Sequence, residues 1–384
     1  MKRIYFDNSA TTQVDERVLN EMNKIQKEIY GNPSSLHSFG IDAFEVKEKA
    51  REKIAEILNC KSNELYFTSG GTESNNTALK GMMNSENSKG KKLITSKIEH
   101  PSVLRTAEHL RSKGKEVSFV SVDEKGLIDL NKLEKEINSN TALVSVMHAN
   151  NEIGTIEPIE EIAELCESKN ALFHSDMVQT LGKMKIDLRK LNISLASFSG
   201  HKIYAPKGNG VLFVKEGIKP EQLIHGGGQE RNLRSGTENI AGIIGFAKAM
   251  DLVHENLDEE MLMQKKLRDK LIKGLSEIKK SRLNGDEIKR LPNNVNFSFY
   301  GIEGESMVAL LDGKGIAGST GSACSSKELK ISHVLEAIGL NHVWAHGSLR
   351  LSLGKNNNEK EINYALEVIP EIVEKLRKIS AVKV

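Results

Sequence analysis

The chain has 384 residues, 38% of them apolar and 28% charged, and its 54 Lys and Arg nearly balance 52 Asp and Glu to leave a formal charge of +2. That length and apolar content can fill more core than one ordinary domain needs, so two domains are expected. The near-neutral total gives no reason to expect a nucleic-acid or membrane surface, no apolar run approaches the roughly 20 residues of a membrane span, and the first residues turn polar too early for a secretory signal, so the expectation is a soluble, cytoplasmic protein with no direct nucleic-acid or membrane partner.

Amphipathic spacing predicts helices over residues 16–30 and 44–58. Short apolar runs then alternate with helical stretches up to about residue 215. The runs fall at 65–67, 93–96, 117–122, 142–147, 171–174 and 195–199; helical patterns occupy 73–82, 102–113 and 159–168. This alternation predicts βαβ units and a mostly parallel sheet, an α/β fold. Gly208-Asn209-Gly210 before Val211-Leu212-Phe213-Val214 predicts a hairpin return and one antiparallel strand. Beyond Gly226-Gly227-Gly228 the pattern changes to one long helix over 240–280, strands at 296–299 and 315–319, and a helical C-terminus from Glu359. The second half thus reads as a smaller α+β domain.

The three cysteines, Cys60, Cys166 and Cys324, are far apart and odd in number, with no Cys-x-x-Cys pair, so neither a disulfide framework nor a zinc site is expected. Cys60 follows a packing helix and Cys166 continues the Ile159, Ile162, Ala163 face, so both read as structural. Cys324 lies in the small, polar, glycine-rich run 318–326. Such a run reads as a loop able to move, which suits a nucleophile that works at two positions.

In parallel sheets, ligands lie beyond the carboxyl ends of the strands. Four polar clusters fall there: residues 68–72, 148–151, 175–176 and 200–202. A lysine just past a strand is ordinarily a surface residue. Lys202, however, shares its setting with Asp176, and a Schiff-base lysine plus an aspartate on a pyridine nitrogen is the protein's share of pyridoxal-phosphate chemistry. Gly70-Gly71-Thr72 opens a helix and would aim backbone N–H groups and a hydroxyl at an anion, although an ordinary N-cap reads the same way. Arg350, among apolar neighbours, needs a carboxylate, either a substrate's or an internal one. His100 alone reads equally well as a structural histidine.

Together these motifs resemble the cysteine desulfurase family, a branch of the fold type I, class-V aminotransferase-like pyridoxal-phosphate enzymes. The resemblance covers nearly the whole chain. It rests on residues 5–12 and 31–35, on Gly71-Thr72-Glu73-Ser74-Asn75-Asn76, Asn150-Asn151-Glu152-Ile153-Gly154 and Ser199-Gly200-His201-Lys202, and on Arg234-Ser235-Gly236-Thr237-Glu238-Asn239, Gly321-Ser322-Ala323-Cys324 and residues 349–354. Met177-Val178, Pro101 and Ala205 depart from the usual pattern without removing a functional group.

The resemblance implies a large domain of residues 14–256 that binds pyridoxal 5'-phosphate, and a small domain of residues 1–13 and 257–384 that carries the Cys324 loop. It implies that Lys202 holds the cofactor and moves the substrate α-proton, and that His100 stacks on the ring and serves in acid/base steps. Asp176 would meet the ring nitrogen and Gln179 the phenolic oxygen. Gly71, Thr72, Ser199 and His201 would hold the phosphate, with Thr237 reaching it from the other subunit of a homodimer. Asn151 and Arg350 would grip the carboxylate of L-cysteine. Cys324 would take the sulfur as a persulfide, leaving L-alanine. The length of its loop resembles the subgroup that passes sulfur to an acceptor protein, an iron–sulfur scaffold or a tRNA-thiolation enzyme. No resident metal is implied, though Cys324 would be able to ligate an iron–sulfur cluster transiently during transfer. The alternatives are a selenocysteine lyase, another fold type I enzyme, or a catalytically silent sulfur-relay partner.

Overall fold

The computed structural model describes residues 3–86, 90–320 and 331–382; Cys324 and its loop, 321–330, lie outside them. The chain opens with β1 (Ile4–Tyr5), α1 (Glu16–Glu28) and α2 (Ser38–Leu58). Asp15 caps α1 by accepting from Arg17 N, satisfying a donor that a helix start leaves without a partner. Helix α2 begins earlier than its periodicity predicts. Phe39, Ile41 and Phe44 in its first turns are exposed, which blurs the apolar stripe there.

Then follow β2 (Leu65–Thr68), α3 (Gly71–Asn84), β3 (Lys92–Ser96), α4 (Pro101–Ser112), β4 (Glu116–Val120), α5 (Leu130–Glu136) and β5 (Thr141–Ser145). After these come α6 (Ile159–Ser168), β6 (Leu172–Asp176), α7 (Leu188–Leu191), β7 (Leu195–Ser199) and β8 (Gly210–Val214). Strands β2 to β8 form one seven-stranded sheet in the order β2-β8-β7-β6-β5-β3-β4. Only β8 runs antiparallel to its neighbours, as the sequence predicts. The predicted hairpin return is present: β8 pairs antiparallel with β7, and the connection between them, residues 200–209, carries Lys202.

The long helix expected over 240–280 is two helices, α8 (Ile240–Glu255) and α9 (Leu257–Ser276). They break at Asn256, whose backbone leaves the helical region (φ −112°, ψ 9°) while its side chain donates to Leu252 O. An amide that bonds its own backbone competes with helix propagation, which is why asparagine favours such junctions. Helix α8 is apolar nearly all round and is buried against α1 and α2. The chain ends with β9 (Ser281–Leu283), β10 (Asn294–Phe299), α10 (Gly304–Gly313), β11 (Ile316–Ala317), α11 (His333–Ala337), α12 (His342–His346), β12 (Ser348–Ser352) and α13 (Glu359–Ile379).

Strands β12, β10 and β9 make a three-stranded antiparallel sheet, and β1 pairs in parallel with β11. Consequently Ile4 and Phe6 belong to the core of Phe297, Phe299, Leu349 and Ile369, not to that of the large sheet. A smaller apolar cluster joins Ile98, Met147 and Ile153, just past strands of the large sheet, to Val334 and Leu335 of α11.

One close backbone approach shapes the site. A Cβ added at Gly210 would stand 2.5 Å from Gly70 Cα and 2.7 Å from Phe198 O. These are backbone atoms that cannot yield cheaply. Gly210→Ala should therefore cost about 1–3 kcal/mol in urea denaturation, as overpacking does, and should displace the start of α3. An unchanged midpoint would show that β8 can shift aside.

Candidate active site

The carboxyl ends of β2, β6 and β7 converge on one crevice with the turn before α4. Asp176 ends β6 and is buried. Its Oδ2 accepts from Asn75 Nδ2 at 2.7 Å and its Oδ1 from Val178 N at 3.0 Å. Asn75 also donates to Ser102 Oγ at 2.8 Å, and Ser102 Oγ lies 2.8 Å from His100 Nδ1. Asp176 and His100 are thus joined through two buried polar side chains. Asn75 appeared in the sequence only as a member of a motif block, and Ser102 carried no signal at all.

His100 caps α4, accepting from Ser102 N at 3.2 Å on Nδ1, so in the neutral ring the proton sits on Nε2. Burial lowers its basicity, Asp176 raises it, and Lys202 and His333 lower it further. The net direction favours a neutral imidazole able to take up a proton.

Lys202 follows β7 in a short 3₁₀ turn, Gly200–Lys202. Its ammonium donates to Ala10 O at 2.7 Å and to Ser9 O. Gln179 Nε2 donates to the same Ser9 carbonyl at 3.1 Å, while its Oε1 is buried without a partner. His201 Nδ1 lies 3.2 Å from Thr11 Oγ1, and burial, then Lys202, pushes its ring down to about 4. The N-terminal segment therefore closes the site over the lysine.

Gly70, with φ +147°, turns the chain into α3, leaving the first N–H groups of that helix unbonded within it. A Cβ on Gly70 would come no closer than 3.6 Å to anything, and the nearest atom is the Oγ of buried Ser199. Gly71, Thr72 and Ser199 hence surround one spot suited to an anion.

Arg350, on β12, realises the internal-pair reading: Nη2 bonds Asp7 Oδ1 at 2.7 Å and Nη1 bonds Asn151 O at 3.1 Å. Its Nε is buried without a partner among the described residues, so the guanidinium keeps a spare donor toward them. Asn151 meets it through the backbone only. Thr237 is exposed on the segment after Gly228, and Arg234 of that segment pairs with Glu73 at the start of α3 at 2.9 Å.

Two neighbours of site residues are buried carboxyls that the sequence did not single out. Burial pushes Glu99 up to about 8 and Glu152 to about 7. Glu152 accepts from Ser332 Oγ at 2.5 Å, and His333 Nε2 lies 2.9 Å from Glu99 O. The residues that follow the Cys324 loop are thereby tied directly behind His100 and Asn151. Among the described residues no group of acids, histidines and cysteines is placed to hold a metal ion.

A lysine just past a strand end, a buried carboxylate, a histidine and a helix start suited to an anion meet here, and comparison with known proteins defines the class. The sequence pattern described as "Aminotransferase class-V" matches residues 4–365. The chain is 51% identical over 382 residues to the protein named cysteine desulfurase IscS of Clostridium botulinum, covering 99% of this chain and 96% of that one. A solved "NifS-like protein" superposes with a TM-score of 0.92 at 44% identity, covering 97% of this chain and 100% of its own. A structure titled "SspA in complex with cysteine" superposes with a TM-score of 0.81 at 36% identity, covering 91% and 98%. The chain belongs to the class-V aminotransferase family. Within that family it is a cysteine desulfurase.

The proton on Glu99 is testable by stability. Its folded-state value lies above the ordinary 4.5, so the folded protein holds a proton that the unfolded chain releases, and stability falls as pH rises from about 4.5 toward about 8. Glu99→Gln removes this loss. Between pH 5 and 8 the variant should gain stability relative to the parent by more than about 1 kcal/mol in urea titrations. A difference independent of pH would mean that Glu99 is ionised throughout.

Proposed function

We propose that this crevice binds pyridoxal 5'-phosphate on Lys202 and removes sulfur from L-cysteine onto Cys324, giving L-alanine. The observation that carries the reading is the meeting of two charges and one neutral base: His100 senses both Asp176 and Lys202 electrostatically while being wired to Asp176 through Asn75 and Ser102. The residues fit the cofactor. Gly71, Thr72 and Ser199 surround the anion spot, to which His201 is assigned by resemblance; Asp176 offers a carboxylate to a ring nitrogen, and the orphan Oε1 gives Gln179 unused hydrogen-bonding capacity. When bound, the cofactor supplies an electron sink conjugated to the α-carbon of the amino acid.

The chain's own residues do the rest. Arg350 has a spare guanidinium donor for the substrate carboxylate, with Asn151 alongside. Lys202, once released, takes the α-proton, and the Ser9 and Ala10 carbonyls fix where its nitrogen stands. His100 shuttles a proton on Nε2 while Nδ1 stays capped. Cys324 Sγ attacks the substrate sulfur: an S–S bond forms, the substrate Cβ–S bond breaks, its electron pair stays with the carbon skeleton, and protonation yields alanine. Cys324 becomes a persulfide. Burial pushes the thiols of Cys60 and Cys166 up to about 12, which suits neither for that step.

The relative solved with cysteine supports the substrate. Exposed Tyr30, Leu36, Phe39, Ile41 and Phe44 form an apolar surface suited to a homodimer, with Thr237 completing the partner's phosphate site. The proposed division is residues 14–256 for the cofactor, with residues 1–13 and 257–384 carrying the Cys324 loop. The persulfide passes to an acceptor protein in the cytoplasm, for iron–sulfur assembly or tRNA thiolation. No helix among the described residues is long and apolar enough to cross a membrane.

Cys324→Ala should keep the absorbance of bound cofactor yet form no persulfide, and Lys202→Ala should lose the covalent attachment. His100→Ala should slow alanine release by about 10²–10⁴-fold with cofactor retained, the range of one acid/base group. Arg350→Lys should raise the KM for cysteine about tenfold, because an ammonium cannot form the fork. Full alanine production by Cys324→Ala in the absence of added thiol would sink the assignment of the sulfur acceptor.

A further inference from the structure

Three charged residues outside the chemistry hold one surface segment in place, and that segment ends at Thr237. After Gly228 the chain enters three successive left-handed residues, Glu230 (φ 46°), Arg231 (φ 54°) and Asn232 (φ 65°). None is glycine. Each such residue is held against its preference, which requires surrounding contacts that over-determine it. Helix α2 supplies them from one face, by residues four apart.

Arg51 is almost fully buried and grips Glu230 with both terminal nitrogens, at 2.7 and 2.8 Å, while bonding Leu65 O at 2.8 Å and Glu48 at 3.0 Å. Glu230 also accepts from Phe67 N at 2.8 Å, so the pair is anchored to β2. One turn earlier, Lys47 pairs with Glu238 at 2.7 Å, both side chains no more than 7% exposed. Between the two anchors, Arg234 bonds Glu73 at the start of α3 at 2.9 Å. Thr237, next to Glu238, remains exposed.

The first turns of the same helix carry the apolar surface. Phe39, Ile41 and Phe44 are about half exposed, and the Lys47 ammonium lies 5.2 Å from the centre of the Phe44 ring. A buried lysine–glutamate pair directly under an exposed aromatic is an expensive arrangement for stability alone, since an apolar pair of equal volume serves that purpose as well or better. Fixing geometry is what the pairs add here.

We propose that Lys47 and Arg51 are positioning residues: their pairs with Glu238 and Glu230 set the 230–238 segment so that Thr237 presents its hydroxyl to the cofactor phosphate of a second copy of this chain. The contact surface and the phosphate-completing segment are then one unit built on α2. A subunit that docks through Phe39, Ile41 and Phe44 brings its Thr237 into place by the same act. The inference rests on the shared-site reading given above.

The test compares pyridoxal 5'-phosphate with pyridoxal, which lacks the phosphate, on the cofactor-stripped full-length chain. The double variant Lys47→Met/Glu238→Gln leaves no orphan charge and keeps the volume, so it should fold. Sedimentation should show parent and variant as dimers. The variant should bind pyridoxal 5'-phosphate about tenfold more weakly, the effect of one misplaced hydrogen bond to a charged group, and pyridoxal unchanged. Thr237→Ala should show the same selective loss. Equal weakening toward both ligands, no weakening, or a monomeric variant overturns the positioning role. A monomeric parent, or Thr237→Ala with no selective loss, overturns the shared site beneath it, and these two controls separate the two failures.

Discussion

The site depends on where the ammonium of Lys202 is held, and it is held by two backbone carbonyls from the far end of the chain. Ser9 O and Ala10 O accept from it, although they precede it by more than 190 residues. Those carbonyls are themselves fixed by β12: Ser9 N donates to Ser352 Oγ at 2.8 Å, and Asn8 Nδ2 donates to Ser352 O at 2.9 Å. Asp7 meanwhile pairs with Arg350 on the same strand. One short N-terminal span therefore sets Lys202, the proposed cofactor lysine, and Arg350, the proposed substrate arginine, in fixed relation. The β1–β11 pairing anchors that span in the C-terminal core.

Much of this was readable in the sequence, and what was not has a common cause. The strand-end clusters were legible because alternation at the period of a sheet is local, and β6 and β7 end where the polar residues begin. Lys202 and Asp176 accordingly lie where the pattern puts them, whereas His100, outside those clusters, was singled out only by the family resemblance. Arg350 was legible as an arginine in need of a carboxylate, but Asp7 was not legible as its partner, because 343 positions separate them. The same holds for β1, two residues long and visible only once β11 lies beside it. Ser102 was missed because a serine in the first turn of a helix is too ordinary to signal a relay. The break at Asn256 was missed for a different reason: the amphipathic pattern continues through it, and only the side-chain bond to Leu252 O reveals the stop.

Buried ionisable groups in the crevice are mostly neutral by construction. Burial holds the rings of His148, His174 and His201 well below their ordinary values and the carboxyls of Glu99, Glu152 and Glu157 well above theirs. Neutral groups keep hydrogen-bonding geometry without adding a field, whereas an ionised group in the same place would shift every nearby proton equilibrium. The field at the site is thereby left to Asp176, Lys202 and the Asp7–Arg350 pair.

That pair resolves how one arginine can be both structural and receptive. Asp7 neutralises the buried guanidinium, which would otherwise be an unpaired charge of high cost. Yet the guanidinium has five donors, and the buried Nε has no partner among the described residues. Under the proposed role, an incoming carboxylate would bond to Nε without expelling Asp7, and the substrate would meet a preformed donor. Because Arg350 N also donates to Ser319 O at 2.7 Å, the proposed substrate arginine also anchors the stretch that ends at Thr320.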